Sequence, residues 1–300
     1  MLLVKPATRR TDWEENETME QNYQGEFHIE RMKSRIPWDM RDAHSHNYHE
    51  IYYLLAGARR YFIGHKIYNV EEGDLVIIPK GSLHRTSQRA PDEYERYVVY
   101  FSDGFFEPLS SVLGEEAKRR FLRLGCIHIP QQFQKGMRRF FEIMEQEQGG
   151  DDDCTRLVQS CALGNVAAVA LRYGIGRKND SAEKVEKIQE AARYISENFN
   201  QEITLRDAAA AAFMEETYFS KQFKKLTGFG FYEYVLQTRM RQAKELLRNS
   251  KLPVGKIAEL CGYSSSNYFG DAFRKQNGMS PMRFRKQLQT NIPIVNGEDE

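Results

Sequence analysis

The chain has 300 residues, of which 41% are hydrophobic and 28% are charged, and its formal net charge is +1. This composition provides enough apolar side chains for packed cores and excludes a globally disordered chain, and the length predicts two domains. The small net charge is an average over unlike halves, because residues 182–288 carry a net charge of +6 and residues 217–288 a net charge of +10. A basic end on a neutral or acidic body favours a nucleic-acid partner.

The N-terminal segment, residues 1–24, is polar and acidic, and we expect it to be disordered or loosely packed. The opening run, MLLVKPATRR, has too few apolar residues for a signal peptide. No stretch approaches the roughly 20 apolar residues of a membrane helix. The four cysteines form no CxxC pair, which favours a reduced setting over a disulfide framework. We therefore expect a cytoplasmic protein with no membrane partner.

Residues 25–105 have the texture of short β-strands. The runs at 50–55, 60–63 and 74–78 are rich in β-branched and aromatic residues, and glycines separate them at close spacing. This pattern predicts a small antiparallel sandwich or barrel. The apolar period then becomes helical over residues 106–175, and residues 176–183 form a predicted linker. From 184 to 288 the sequence predicts helices separated by short turns, followed by a flexible tail at 289–300.

The C-terminal region contains an internal repeat. Residues 218–234 (YFSKQFKKLTGFGFYEY) align with residues 268–284 (YFGDAFRKQNGMSPMRF) at an offset of fifty. In each copy two phenylalanines lie four residues apart, on the face that a helix turns toward a core. A basic pair and a glycine that can end the helix follow. A shorter alanine-bearing helix precedes each copy, so the sequence predicts two helix-turn-helix units, with a plain helical bundle as the alternative.

Residues 257–286, IAELCGYSSSNYFGDAFRKQNGMSPMRFRK, resemble the signature of AraC/XylS-type transcription regulators. The resemblance implies an α+β fold of two domains. The first is a cupin-like antiparallel β-barrel followed by helices for dimer contact at 106–175, and the second is all-α, with two helix-turn-helix units joined by a long helix at about 231–248. It also implies that each unit places a recognition helix in the major groove of double-stranded DNA, and that the chain pairs as a homodimer and acts with RNA polymerase.

The predicted DNA contacts follow from this resemblance. Bases would face the first half of each recognition helix, where Asn267 suits adenine and Asp271 suits a cytosine amino group. The basic pairs would serve phosphates or helix ends. The full predicted set is Thr217, Ser220, Lys221, Lys224, Lys225, Ser265, Ser266, Asn267, Gly270, Asp271, Arg274 and Lys275.

Residues 44–57 (HSHNYHEIYYLLAG) and 73–84 (GDLVIIPKGSLH) resemble the two cupin motifs. In metal-binding cupins the matching side chains, His44, His46, Glu50 and His84, would be ligands of a divalent transition metal. In AraC-type sensor domains the same residues, together with Tyr52, would line a pocket for a small-molecule effector such as a sugar, or simply pack. All three interpretations remain open. By strand parity, His49 would face outward.

The function that these features favour is an effector-responsive DNA-binding regulator of carbohydrate uptake or metabolism genes, with no catalytic residue and no required cofactor. The sign of regulation is not set by any residue. Two alternatives stay open: a cupin metalloenzyme with an appended DNA-binding domain, and a small-molecule binding module with no DNA role.

Overall fold

The computed structural model describes residues 25–34, 40, 43–89, 93–177 and 183–290, and the side chains up to residue 288. It divides the chain into two compact units, Met1–Ser181 and Ala182–Glu300. The division falls inside the segment 176–183 that the sequence predicts as a linker. The predicted N-terminal segment 1–24 lies outside the described residues, as does nearly all of the predicted tail.

The first unit contains two antiparallel sheets. The larger sheet has the strand order β1-β7-β2-β5-β8-β9 and the smaller sheet the order β4-β3-β6. The strand bounds are Phe27–Ser34 (β1), His49–Ala56 (β2), Ala58–Ile63 (β3), Lys66–Glu71 (β4), Asp74–Ile78 (β5), His84–Gln88 (β6), Tyr94–Phe101 (β7), Cys126–His128 (β8) and Ile175–Gly176 (β9). The strands expected at 50–55, 60–63 and 74–78 are therefore confirmed as parts of β2, β3 and β5.

Alternation along β2 assigns its side chains to two cores. Ile51 and Tyr53 point to the face of the larger sheet that helices cover, where they join one apolar cluster. Tyr52 and Leu54 point the other way and pack with residues of the smaller sheet in a second cluster. Because both faces are covered, β2 is a nearly continuous buried run.

Four helices follow the sheets: α1 (Asp103–Leu113), α2 (Glu115–Leu122), α3 (Gln131–Gln146) and α4 (Asp153–Tyr173). The prediction of helices throughout 106–175 is wrong at β8, which lies between α2 and α3. Cys126 and Ile127 are buried there and pair with β5. A strand of three residues is too short to show an alternating pattern, so periodicity does not reveal it.

One described helix, α4, is long and apolar enough to span a membrane by length and composition alone, although the sequence analysis expected no such stretch. Its Leu163, Val166 and Ala170 are buried in the core beneath the larger sheet. A core helix meets the same length and composition test, and burial of this face accounts for the apolar composition of α4.

The second unit is helical throughout its described part. Its helices are α5 (Glu183–Asn198), α6 (Leu205–Ala211), α7 (Glu216–Thr227), α8 (Phe231–Asn249), α9 (Val254–Leu260), α10 (Ser266–Asn277) and α11 (Pro281–Thr290). The pairs α6–α7 and α9–α10 are the two predicted helix-turn-helix units, and α8 is the predicted long connector. The sequence-based fold class is thus confirmed.

Candidate nucleic-acid interface and sensor site

The first candidate recognition helix, α7, is fixed by buried aromatics on one side and by a cap at its start. Phe219 and Phe223 are fully buried. The carboxylate of Glu215 accepts hydrogen bonds from the amides of Thr217 and Tyr218, both at 3.0 Å, and these bonds hold the pKa of Glu215 below its ordinary value. Because that carboxylate occupies the amides a phosphate would need, the helix start repels phosphate. Contact with DNA through α7 therefore depends on its outer face.

The second candidate recognition helix, α10, has the same core but a neutral cap. Phe269 and Phe273 are fully buried, and the hydroxyl of Ser265 accepts a hydrogen bond from the amide of Tyr268 at 3.4 Å. Gly278 ends the helix in the left-handed conformation, with φ of 71°. With no carboxylate at its start, α10 can present its N-terminus to bases or phosphates, which α7 cannot do equally well.

The turns before the two helices differ by one residue. In the second helix-turn-helix Gly262, with φ of 77°, takes the left-handed position, and two residues separate it from the cap Ser265. In the first helix-turn-helix Phe213, with φ of 52°, takes that position, and only one residue separates it from the cap Glu215. A bulky residue at positive φ is strained. The repeat offset of fifty hides this difference, because it aligns Phe213 with Tyr263.

The connector α8 holds the two helix-turn-helix motifs in a fixed relation. The guanidinium of Arg239 donates to the carbonyl oxygens of Phe199 at 2.7 Å and Gln201 at 2.9 Å, just before the first helix-turn-helix. The same guanidinium lies 5.4 Å from the ring centroid of Tyr263 in the second helix-turn-helix. A Cβ on Gly262 would lie 2.9 Å from backbone atoms of Asn200, so the second turn packs directly against the loop that precedes the first helix-turn-helix.

Every predicted DNA-contact residue lies on the outer faces of these elements. Ten of the twelve are exposed, while Ser220 and Gly270 are half-buried. A Cβ built on Gly270 would meet no atom within 4 Å, so packing within the chain does not require glycine at this helical position. Arg274 lies 3.5 Å from the carboxylate of Asp271, and both are exposed. This ion pair offsets part of the negative charge that Asp271 adds to the exposed face of α10.

Two tyrosines at matching positions of the recognition helices lie outside the predicted set of DNA contacts. Tyr218 is 43% exposed and Tyr268 is 68% exposed, beside the predicted base-facing residues. The internal repeat aligns these two tyrosines, but the alignment by itself does not indicate a contact with DNA. Phe213, which is 84% exposed, was also missed, because a strained turn residue leaves no signal in apolar periodicity.

In the first unit, the structure brings four predicted sensor residues together. The ring centroids of His44 and His84 are 4.5 Å apart, and those of His46 and His84 are 4.8 Å apart. His46 Nε2 lies 3.1 Å and His84 Nε2 lies 3.4 Å from the same carboxylate oxygen of Glu50. We call these four residues the histidine cluster. Neither His44 nor His46 lies in a named strand, and His44 forms an isolated β-bridge with His84.

Backbone contacts hold the histidine cluster in place. His44 and His84 exchange two backbone hydrogen bonds, of 3.0 and 2.9 Å, in an isolated antiparallel bridge. His46 Nδ1 contacts the carbonyl oxygen of Tyr48 at 3.0 Å, and His84 Nδ1 contacts that of Ser82 at 2.9 Å. A carbonyl oxygen only accepts, so each Nδ1 carries the hydrogen and each Nε2 is directed at Glu50.

Glu50 is buried, and burial by itself would raise its pKa. Hydrogen bonds with His46 and His84 outweigh that effect and hold the pKa of Glu50 well below its ordinary value. A carboxylate thus lies between the imidazoles, in a site largely closed to water. The three histidines offer nitrogen atoms that all lie within 4.8 Å of one another. Three imidazoles and a carboxylate suit a divalent transition metal by donor chemistry.

The fifth predicted pocket residue, Tyr52, lies deeper on the same face of β2. Its ring contacts Tyr61 at a centroid distance of 4.9 Å, and the guanidinium of Arg96 lies 5.6 Å from it. Burial raises the pKa of Tyr52 to about 12. Buried Arg59 and Arg96 also lie in this interior and were not predicted, because lone arginines in strand sequences resemble solvent-facing residues.

The outward position expected for His49 is wrong. His49 is on the opposite face of β2 from Glu50, as parity predicts, but it is buried under α1. Its Nε2 lies 2.9 Å from a carboxylate oxygen of Asp103. Burial, helped by the charges of Lys80 and Lys118, lowers the pKa of His49 to about 4. His49 is therefore a core residue outside the histidine cluster.

The described part of the first unit ends in a buried ion pair. Arg177 Nε lies 2.9 Å from both carboxylate oxygens of Asp74, which is fully buried. His128 Nδ1 contacts the same carboxylate at 2.8 Å, and the amide of Glu71 donates to it at 2.9 Å. The pair fixes β9 and the residue after it to the edge of the larger sheet.

Comparison with known families matches residues 26–154 to an AraC-like ligand binding domain and residues 208–287 to a helix-turn-helix domain. The first match spans β1 to β8 and the helices α1 to α3 of the first unit. The second spans both recognition helices and the connector between them. The two matches thus occur in the order that the sequence analysis expected.

Several curated proteins are similar to the chain. The HTH-type transcriptional regulator YijO of Escherichia coli is 34% identical over 119 residues, which are 39% of this chain and 42% of YijO. The Msm operon regulatory protein of Streptococcus mutans is 24% identical over 80% of this chain and 85% of its own. The transcriptional activator RhaR of Mannheimia succiniciproducens is 21% identical over 87% of this chain and 91% of its own.

The chain spans less than half of YijO, whereas its similarity to the other two covers most of their length. The C-terminal signature, the paired helix-turn-helix units and the family matches agree with one another. The chain therefore belongs to the AraC/XylS family of transcription regulators.

Proposed function

We propose that the chain is an effector-responsive regulator that places α7 and α10 in adjacent major-groove segments of its operator. The observation that carries this proposal is the pair of polar, exposed helix faces held on one connector by Arg239. Two rigidly spaced recognition helices suit two successive openings of the same groove, about one helical turn of DNA apart.

In this proposal the two helices make different contacts with DNA. On α10, Ser266, Asn267 and Asp271 face the bases, and the neutral cap lets the helix start approach the DNA closely. On α7, the acidic cap makes the contact depend on Thr217, Ser220 and Lys221. The basic pairs at the ends of both helices, Lys224 with Lys225 and Arg274 with Lys275, neutralise phosphates.

The test measures binding of the full chain to DNA from upstream of its own gene by fluorescence anisotropy, at several salt concentrations. Asn267→Ala should weaken binding to the operator by about 1–3 kcal/mol and leave binding to unrelated DNA unchanged. Lys225→Ala should weaken both and reduce the salt slope by about 1. The control is Arg193→Ala, an exposed basic residue on α5. Equal effects of all three substitutions would contradict the assigned roles.

The effector site in this proposal is the histidine cluster with Tyr52. The matched family is a ligand binding domain by its description, and the cluster offers hydrogen-bonding groups in a closed site. The stacked rings of His46 and Tyr48, with centroids 3.8 Å apart, add an aromatic wall. These features suit a small polyhydroxylated molecule such as a sugar. A regulator that responds to a sugar would control genes for carbohydrate uptake or metabolism.

The effector test titrates the full chain with a panel of mono- and disaccharides by calorimetry. A binding sugar should lose affinity in His84→Ala and Tyr52→Phe and should keep it in His65→Ala, a histidine in the turn between β3 and β4. A sugar that binds all four proteins equally would exclude the cluster as its site. If no sugar binds while the operator is still recognised, the effector is of another class.

We further propose that the chain forms a homodimer and activates transcription. Along α4, Leu157 is 63% exposed between the exposed Cys154 and Cys161, which offers a second copy a helix face. Light scattering of the wild type and of Leu157→Asp tests a homodimer, which this change should dissociate. Transcription from the upstream promoter with purified RNA polymerase tests activation, and a drop in transcript on adding the protein would show repression.

A further inference from the structure

The side of α4 that faces away from the core also carries apolar and small side chains. Less than half of the most apolar stretch of this helix, 39%, is buried. Cys154, Leu157, Cys161 and Ala168 recur at spacings of three, four and seven residues and are all exposed, Leu157 by 63%. This spacing places them on one side of the helix, which we call the outer face of α4. An exposed apolar face of this kind is typical of a surface that a partner covers.

The outer face of α4 is complementary to a second copy of itself in one orientation. Leu157 projects between the two shorter cysteine side chains, so it can pack against the same face of a partner related by a two-fold axis. Three consecutive exposed carboxylates, Asp151–Asp153, stand at the start of the helix. Parallel copies would bring these carboxylates together, and like charges repel. Antiparallel copies keep the acidic ends apart and let the helix dipoles attract.

The two exposed cysteines of this face cannot form a disulfide within one chain. Seven residues of helix separate their Cα atoms by about 10.5 Å, whereas a disulfide needs a separation of about 4.4–6.8 Å. Cys154 lies three residues before Leu157, and Cys161 lies four residues after it. A two-fold axis beside Leu157 therefore places Cys154 of each antiparallel copy opposite Cys161 of the other.

We propose that Cys154 and Cys161 form a redox-sensitive crosslink between two antiparallel copies of α4, with a peroxide as the oxidant. For each bond, one thiolate attacks a peroxide oxygen, the O–O bond breaks, and a sulfenic acid and one water form. The second thiol then displaces a second water from the sulfenic acid and closes the disulfide. Two thiols thus lose two electrons and two protons, and one hydrogen peroxide becomes two waters. This inference rests on the proposed homodimer and adds its regulation by oxidation.

The test treats the full chain with hydrogen peroxide and separates the products by non-reducing electrophoresis. Cys154→Ser and Cys161→Ser are treated alone and as an equal mixture in which one variant carries a size tag. We expect crosslinked dimers in the wild type and in the mixture, little product from either variant alone, and release of monomers by dithiothreitol. Efficient crosslinking of each variant alone would overturn the antiparallel register. A double variant that crosslinks as well as the wild type would overturn the assignment of these cysteines.

Leu157→Asp separates helix pairing from thiol chemistry. This variant keeps both thiols but places a carboxylate at the axis, so the yield of crosslinked dimer should fall by about tenfold. An equal yield would show that random collisions join the chains and would overturn the inference. Circular dichroism checks that the variant folds, and the cysteine variants decide the matter if it does not. The buried Cys126 and Cys261 should stay reduced in the crosslinked wild type, as peptide mass spectrometry can show.

Two measurements separate this inference from the proposed function. If light scattering shows that the reduced chain is a dimer and peroxide produces no disulfide, the inference fails and the homodimer stands. If the reduced chain is a monomer at every concentration, the proposed pairing itself fails.

Operator affinity is then compared between the oxidised and reduced chain. A covalent dimer presents two DNA-binding domains at any concentration, so we expect oxidised wild type to bind about tenfold more tightly, and the double cysteine variant to show no change. Unchanged affinity of a crosslinked wild type would overturn the regulatory role. If neither state binds the operator, the DNA-binding proposal fails, and electrophoresis still decides the crosslink.

Discussion

Replacing Arg177 by methionine tests whether the buried ion pair fixes the last described strand of the first unit. Methionine keeps much of the apolar stem and removes the guanidinium that lies 2.9 Å from both oxygens of Asp74. Removing one partner of a fully buried pair costs about 3–5 kcal/mol. Here the Arg177 side chain is 30% exposed, and Asp74 keeps two other partners, His128 and the Glu71 amide. We therefore expect a cost of about 2 kcal/mol.

Hydrogen exchange measured by mass spectrometry reports this loss of stability for each segment of the chain. The amides of β8 and β9 open together if the pair is what holds them, and 2 kcal/mol corresponds to roughly thirtyfold faster exchange. Arg119→Met is the control, because its ion pair with Glu116 is exposed on both sides and should contribute little. Unchanged exchange over residues 126–128 and 175–177 in Arg177→Met would refute the reasoning. So would equal acceleration in the control.

Three further predictions concern single residues. Gly270→Ala should stabilise the second unit by about 1 kcal/mol, since alanine is the better helix former, yet weaken operator binding; a gain in both thermal stability and affinity would show that DNA does not approach Gly270. Phe213→Gly should raise the melting temperature by relieving positive φ, whereas Gly262→Ala should lower it; the same sign for both would exclude strain at Phe213. Burial lowers the pKa of His28, although Glu30 opposes this, so the unfolded chain takes up more protons as the pH falls below about 6.5 and stability decreases. The urea midpoint of His28→Asn should therefore fall less than that of the wild type between pH 7.5 and 5.5, and parallel curves would contradict the assignment.

The elements with strong local signals were predictable from the sequence. The Phe219/Phe223 and Phe269/Phe273 pairs and the closing glycines marked both recognition helices, because a helix buries residues four apart and ends where glycine permits left-handed backbone. The runs that became β2, β3 and β5 were equally clear. The cupin-like spacing identified His44, His46, Glu50 and His84, which the fold brings together.

Features that depend on tertiary contacts were not predictable. β8 exists because Cys126 and Ile127 find an open edge beside β5, and three residues carry no period of their own. The burial of His49 depends on α1 covering its face of the sheet. Phe213 takes a glycine-like conformation because the first turn is one residue shorter, which no propensity indicates. The support of His46 and His84 by carbonyl oxygens likewise arises only from the folded backbone.

The central claim is that one chain reads two adjacent major-groove segments with α7 and α10. The most direct measurement is a methylation-protection footprint of the operator with the wild type, Lys221→Ala and Asn267→Ala. The account predicts protected major-groove guanines in two clusters about one helical turn apart for each chain. Lys221→Ala should remove protection from one cluster and Asn267→Ala from the other. Protection of a single cluster, or loss of the same cluster in both variants, would contradict it.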